Sequence, residues 1–252
     1  PPSTTPEARQ AFTLEFLKAR ALEKTTPESA IAAYRALLAR YPEFAETHFR
    51  LARLLELAGS RDEAREHYIL AREYDVMPMR CPEEFREAYR ETKARHPKIL
   101  LVDSTRVLEP LSPRGFLDDH LYHDGQHPNL LGYIALAQES LRQLHERRAF
   151  GWPESVPVPV IDPDECARHF GIDQDRWQRV CTRSAAFHEI TAYIRYNPAE
   201  RLRVEQAYKQ AAAQIKEGRS PEETGVTGLG THPAMDTMPL PLPLPVPGPA
   251  TE

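Results

Sequence analysis

Asp124 and His127 stand three residues apart in the run Asp124-Gly125-Gln126-His127-Pro128-Asn129-Leu130-Leu131-Gly132-Tyr133. A carboxylate at that spacing, across a turn that contains glycine, can accept the Nδ1 proton of an imidazole and leave Nε2 as a base. Pro128 fits the first turn of a helix, where its missing N–H costs nothing, and it disfavours helical geometry in the residue before it. His127 is therefore predicted to sit just outside a helix N-terminus. This is the division of labour a serine hydrolase needs, and it calls for no metal and no cofactor.

The same stretch offers a second chemistry. His120, His123, Asp124 and His127 form H-x-x-H-D-x-x-H, a set rich in imidazole and carboxylate that suits a metal ion. Neither spacing is the i, i+4 of a helical zinc pair, and histidine in a polar loop is ordinarily solvated, so the Asp–His base is the preferred reading. His145, His169 and His188 lack any carboxylate or cysteine pattern that assigns them a role. Cys81, Cys166 and Cys181 match neither a two-pair disulfide framework nor a zinc spacing, and both a Cys166–Cys181 bridge and free core thiols stay open.

The elements that must position Asp124 and His127 can be read around them. Residues 98–103, Lys-Ile-Leu-Leu-Val-Asp, are a continuous apolar run of the kind expected for a strand buried on both faces of a parallel sheet. A polar amphipathic helix over 82–96, opened by Pro82 with Glu83 and Glu84 in its first turn, feeds it. A loop rich in Pro, Gly and Asp over 110–126 then leads to a helix from Pro128 to about Arg147, with Leu131, Ile134, Ala135, Leu141 and Leu144 along its buried face. A helix feeding a strand is the grammar of an α/β domain, although one strand and two helices cannot close a doubly wound core.

Upstream, apolar residues recur at three- and four-residue intervals from Ala11 to Asp75, interrupted near Thr25-Thr26-Pro27, Tyr41-Pro42 and Ala58-Gly59. The series His48, Leu51, Ala52, Leu55, Gly59, Ala64, Tyr68, Ala71 has the spacing of the tetratricopeptide repeat (TPR). A period of about 34 residues places Ala64 over Ala30, Tyr68 over Tyr34 and Ala71 over Leu37. Two helical hairpins are predicted, with these residues as core.

The run Asp124 to Ala137, D-G-Q-H-P-N-L-L-G-Y-I-A-L-A, resembles the last block of the SGNH (GDSL-type) hydrolase family, where a D-x-x-H pair precedes the final helix of a flavodoxin-like sheet. Some SGNH-like proteins carry a TPR array before their final strand, and the passage from Asp75 through Arg80 to Asp103 resembles that junction. The resemblance covers residues 28–147. It implies the C-terminal portion of an α/β hydrolase domain, with His127 as general base and Asp124 as its orienting partner. Family members attack an ester or amide carbonyl with a serine from a Gly-Asp-Ser-like block, and a glycine N–H and an asparagine side chain stabilise the oxyanion. No Gly-Asp-Ser occurs in this sequence. In the family those blocks precede the repeats, and the chain starts at Pro1, so the expectation is the C-terminal part of a longer serine esterase or acyl hydrolase, inactive alone. The substrate implied is an acyl ester, O-acylated carbohydrate included.

An alternative role rests on the helical hairpins as a module that presents a concave surface to a peptide or partner protein. The net charge of -5 over 252 residues, with acids and bases interspersed, gives no basic stripe for nucleic acid. No apolar run is long enough to span a bilayer. Compartment stays open, an extracytoplasmic location or a membrane anchor ahead of Pro1 included. The expected organisation is a disordered start (1–10), TPR-like hairpins (11–76), the C-terminal part of the hydrolase domain (77–150), a helical extension (151–217), and a Pro-rich disordered tail (218–252). In the extension Phe170, Trp177, Val180, Cys181, Phe187, Ile190 and Tyr193 are expected to face inward. In the tail the Pro-Leu alternation from Met238 to Pro247 suits a polyproline-like conformation.

Overall fold

The computed structural model of the chain describes residues 5–76, 80–124, 126–194 and 198–227. Among the described residues all regular structure is helical: α1 (Pro6–Leu22), α2 (Pro27–Arg40), α3 (Ala45–Leu57), α4 (Arg61–Glu73), α5 (Glu83–Arg95), α6 (Ser104–Leu108), α7 (Leu130–Glu146), α8 (Pro163–His169), α9 (Gln174–Ala192) and α10 (Pro198–Lys216). They fall into two units, the first ending at Arg95 and the second beginning at His96.

The first unit contains two helical hairpins, α1–α2 and α3–α4. Proline at the first helical position starts α1 and α2. Gly59, at φ 84°, ends α3: its N–H reaches the Glu56 carbonyl at 3.0 Å and the N–H of Ser60 reaches Leu55 at 2.8 Å, the paired bonds of a Schellman cap. Ala30, Tyr34, Leu37, Leu51, Ala52, Leu55 and Ala64 are all buried. The hairpins repeat a polar feature as well. The Tyr34 hydroxyl donates to Glu23 Oε1 at 2.5 Å, and the Tyr68 hydroxyl donates to Glu56 Oε2 at the same distance. Arg50, 2% exposed, ties the hairpins together through Glu23 at 3.0 Å. The first helix begins at Pro6 with Thr5 as its N-cap, so residues 6–10 are helical, within the stretch expected to be a disordered start.

In the second unit α9 and α10 pack along each other around Trp177, Cys181, Ala185, Val204, Tyr208, Ala211, Ile215 and Val226, and Leu130 at the start of α7 rests on that core. The N–H of Leu131 donates to the carbonyl of Thr227 at 3.1 Å, which fastens the first turn of α7 to the 220–227 turn. That turn, with Val226 fully buried, lies inside the stretch expected to be tail; the Pro-Leu segment from Met238 lies outside the described residues.

The α/β reading is overturned. Among the described residues there is no strand, only an isolated antiparallel bridge between Tyr122 and Pro128. Residues 98–103 run as an irregular segment beside α7, where Arg147 donates to the Pro97 carbonyl at 2.5 Å and Gln143 to the Leu101 carbonyl at 3.2 Å. The physical reason is that the segment has no neighbouring strand: the Gln143 side chain of α7 takes the Leu101 carbonyl, Ile99 is left 43% exposed, and Asp103 ends the run as N-cap of α6. The buried face foreseen for α7 is only half-buried at Leu131, Ile134, Ala135, Leu141 and Leu144. On α9 Trp177 and Cys181 are buried as expected, whereas Ile190, and Phe170 and Tyr193 beyond its ends, are exposed.

Candidate active site

The segment 118–129 is a loop folded back on itself ahead of α7. The N–H of His123 donates to the carbonyl of His127 at 3.0 Å, and the N–H of Asn129 donates to that of Leu121 at 2.8 Å. Asn129, fully buried, closes the loop: its Nδ2 donates to the His120 carbonyl at 2.7 Å, and its Oδ1 accepts from the N–H of Gly132 at 3.1 Å as the N-cap of α7. The helix therefore starts after Asn129. Pro128 lies before the cap, in the bridge with Tyr122, instead of in the first turn. Gly132 is needed because a Cβ there would meet Pro128 Cβ at 2.9 Å. The Pro-Asn-x-x-Gly part of the motif is thus accounted for by packing and capping.

Asp124 and His127 are brought together at the tip. Oδ1 of Asp124 accepts the N–H of Gln126 at 2.7 Å and of His127 at 2.8 Å, and Oδ2 lies 2.8 Å from His127 Nδ1. Burial pushes the Asp124 carboxyl up, but the bonds from the His127 backbone and ring and the Gln126 N–H outweigh it and hold the group below its ordinary value. An ionised Asp124 accepts, so Nδ1 of His127 donates and Nε2 carries the lone pair. The His127 side chain is 67% exposed, and among the described residues no hydrogen bond engages Nε2. This arrangement can take a proton from a hydroxyl brought to Nε2.

The other two histidines of the run point elsewhere. His120 is buried, with Nδ1 at 2.7 Å from Asp118, whose second oxygen accepts from Ser112 at 3.2 Å. His123 faces Tyr208, and burial lowers its pKa to about 4, so the ring is neutral. Among the described residues no three His, Cys, Asp or Glu side chains are grouped to hold a metal ion. The residues beneath the loop, Tyr208, His188 and Arg201, carried no sequence signal, because contact between positions so far apart is set by the packing of α9 on α10. Asn129 did carry one: asparagine directly ahead of a helix is a strong N-cap.

Cys81, Cys166 and Cys181 are free thiols, and burial pushes Cys181 up to about 12, which keeps it protonated and inert. Among the described residues no helix is long and apolar enough to cross a membrane. No protein-family model, no curated protein and no solved structure matches the chain.

Proposed function

We propose that Asp124 and His127 are the acid–base half of a serine hydrolase centre acting on an acyl ester, with the nucleophilic hydroxyl and oxyanion donors supplied from outside the described residues. The observation that carries the reading is the bond from His127 Nδ1 to Asp124 at 2.8 Å, with the opposite ring nitrogen open to solvent. Two backbone N–H groups lock the carboxylate, so the imidazole is presented in one tautomer and one orientation. A helical scaffold is no obstacle, since triads recur on unrelated folds and are defined by geometry and role.

In the reaction the hydroxyl proton moves to His127 Nε2 as the oxygen attacks the acyl carbon, and the imidazolium returns it to the departing alkoxide. Asp124 stabilises the imidazolium without taking its proton. No step uses a metal, so hydrolysis of short acyl esters by the polypeptide as its gene encodes it should survive a chelator. Loss of that activity on chelation, with recovery on adding zinc, would overturn this reading.

A second reading concerns the first unit, where two hairpins of TPR spacing leave Leu14 and Leu17 of α1 about half exposed, 55% and 49%. Such a surface suits a peptide or protein partner. Loss of a co-purifying partner on Leu14→Glu would favour it, and no change would speak against it.

A further inference from the structure

Tyr208 and His188 join the α9–α10 hairpin to the Asp124–His127 loop at His123. Tyr208 of α10 is fully buried, and its hydroxyl lies 3.4 Å from His123 Nδ1. At that distance the bond alone is weak, but ring contacts reinforce it. His123 meets the Tyr208 ring edge-on at 6.3 Å, and His188 of α9 stacks on it at 5.7 Å. His188 is itself held, because Arg201 donates to its Nδ1 at 2.9 Å. His123 is both the covalent neighbour of Asp124 and, through its N–H, the partner of the His127 carbonyl at 3.0 Å. A displacement of His123 therefore moves both members of the pair.

We propose that Tyr208 is a positioning residue for the Asp124–His127 pair, acting through His123, and that the helical hairpin α9–α10 serves as the platform of the site. The proposal rests on the reading of Asp124 as the group that orients His127. Burial, and after it the Asp119 carboxylate with smaller effects from Cys181 and Asp124, keeps the Tyr208 phenol un-ionised, as a donor beside His123 requires. His188, fully buried and stacked on Tyr208, is held neutral by burial, which lowers its pKa to about 4.

The test is a double-substitution cycle on the reactivity of His127 in the whole chain, read as its rate of carbethoxylation by diethyl pyrocarbonate at about pH 7, with mass spectrometry to assign the site. Asp124→Asn changes that rate by a reference factor. In the Tyr208→Phe background, which keeps the ring and removes the hydroxyl, the factor is expected to shrink by about threefold or more, as for residues that act as one unit. Tyr193→Phe, 80% exposed on the same hairpin, should leave the factor unchanged. Equal factors in the wild-type and Tyr208→Phe backgrounds would overturn the proposal, as would an Asp124→Asn chain in which His127 reacts as before. Should Tyr208→Phe fail to fold by circular dichroism, His123→Leu, which breaks the joint from the loop side, takes its place in the same cycle. If serine probes leave the gene-encoded polypeptide unmarked while the coupling persists, the hydrolase reading falls and the positioning role stands.

Discussion

Nδ2 of Asn129 donates to the carbonyl of His120 at 2.7 Å and so ties together the two ends of the loop that carries Asp124 and His127. The same side chain caps α7 through Gly132. Both partners are buried, so Asn129→Ala leaves two main-chain groups without a bond, a loss of about 1–3 kcal/mol. Thermal unfolding followed by circular dichroism should show a clear drop in midpoint, and an unchanged midpoint would mean that water replaces the amide.

Gly132→Ala sets two effects against each other. Alanine is favoured over glycine inside a helix by about 1 kcal/mol. The added Cβ, however, would lie 2.9 Å from Pro128 Cβ and 3.4 Å from the Leu121 carbonyl, with Leu108 at 3.7 Å closing the third side. Overpacking typically costs about 1–3 kcal/mol, and Pro128 is held by its bridge, so the net change should be destabilising. A raised urea midpoint would show that the loop gives way freely.

Stability should fall on mild acidification. His48 accepts from His67 at 2.8 Å between the two Nδ1 atoms while its Nε2 donates to the Pro42 carbonyl at 2.7 Å, so a proton on His48 Nδ1 would set two N–H groups face to face, and a proton on His67 would bring a cation against its neighbour's ring. Burial lowers the pKa of both, and it lowers His123 and His188 to about 4. Each folded value lies below the ordinary 6.5, so as pH falls the unfolded chain takes up protons first. The contribution is fully present above about pH 6.5 and is lost toward about pH 4. The urea midpoint at about pH 5 should therefore lie below that at about pH 7.5, and an equal or higher value would contradict the assignment of these rings as neutral.

The short bond from Tyr34 to Glu23 predicts a loss on Tyr34→Phe. Glu23 keeps Arg50, but a part-buried carboxylate loses one of its donors, which costs up to about 1.5–3 kcal/mol for a bond to a charged group. Tyr68→Phe should behave alike through Glu56. Two equal losses would support the repeat, whereas a neutral change at both positions would indicate that the hydroxyls are replaced by water.

Sequence spacing exposed the hairpins because their packing is local and periodic: Ala30 and Ala64 recur at one interval and are both buried, and Tyr34 and Tyr68 recur at the same interval and each bond a glutamate, although only Tyr34 is fully buried. The Asp124–His127 bond was also legible, since it joins residues three apart across a turn. Residues 98–103 misled because an apolar run looks alike whether neighbouring strands cover it or not, and here, among the described residues, no strand lies beside it and the Gln143 side chain of α7 takes the Leu101 carbonyl. Tyr208 and His188 were invisible because their roles depend on how α10 lies on α9, which no local pattern encodes.

The most direct test of the Asp124–His127 centre is covalent labelling of the polypeptide, as its gene encodes it, with a fluorophosphonate probe, before and after His127→Ala. His127 is exposed and outside the helix, so the substitution should leave the circular dichroism unchanged. Asp124→Asn should be less damaging than loss of the base yet still severe, since the amide can hold the wrong tautomer; in serine-protease triads the corresponding change lowers turnover by about 10⁴. The expected result is labelling of one serine in the wild-type protein and its loss in His127→Ala. Labelling that is absent from the wild type, or that persists undiminished in His127→Ala, would contradict the assignment of His127 as the base.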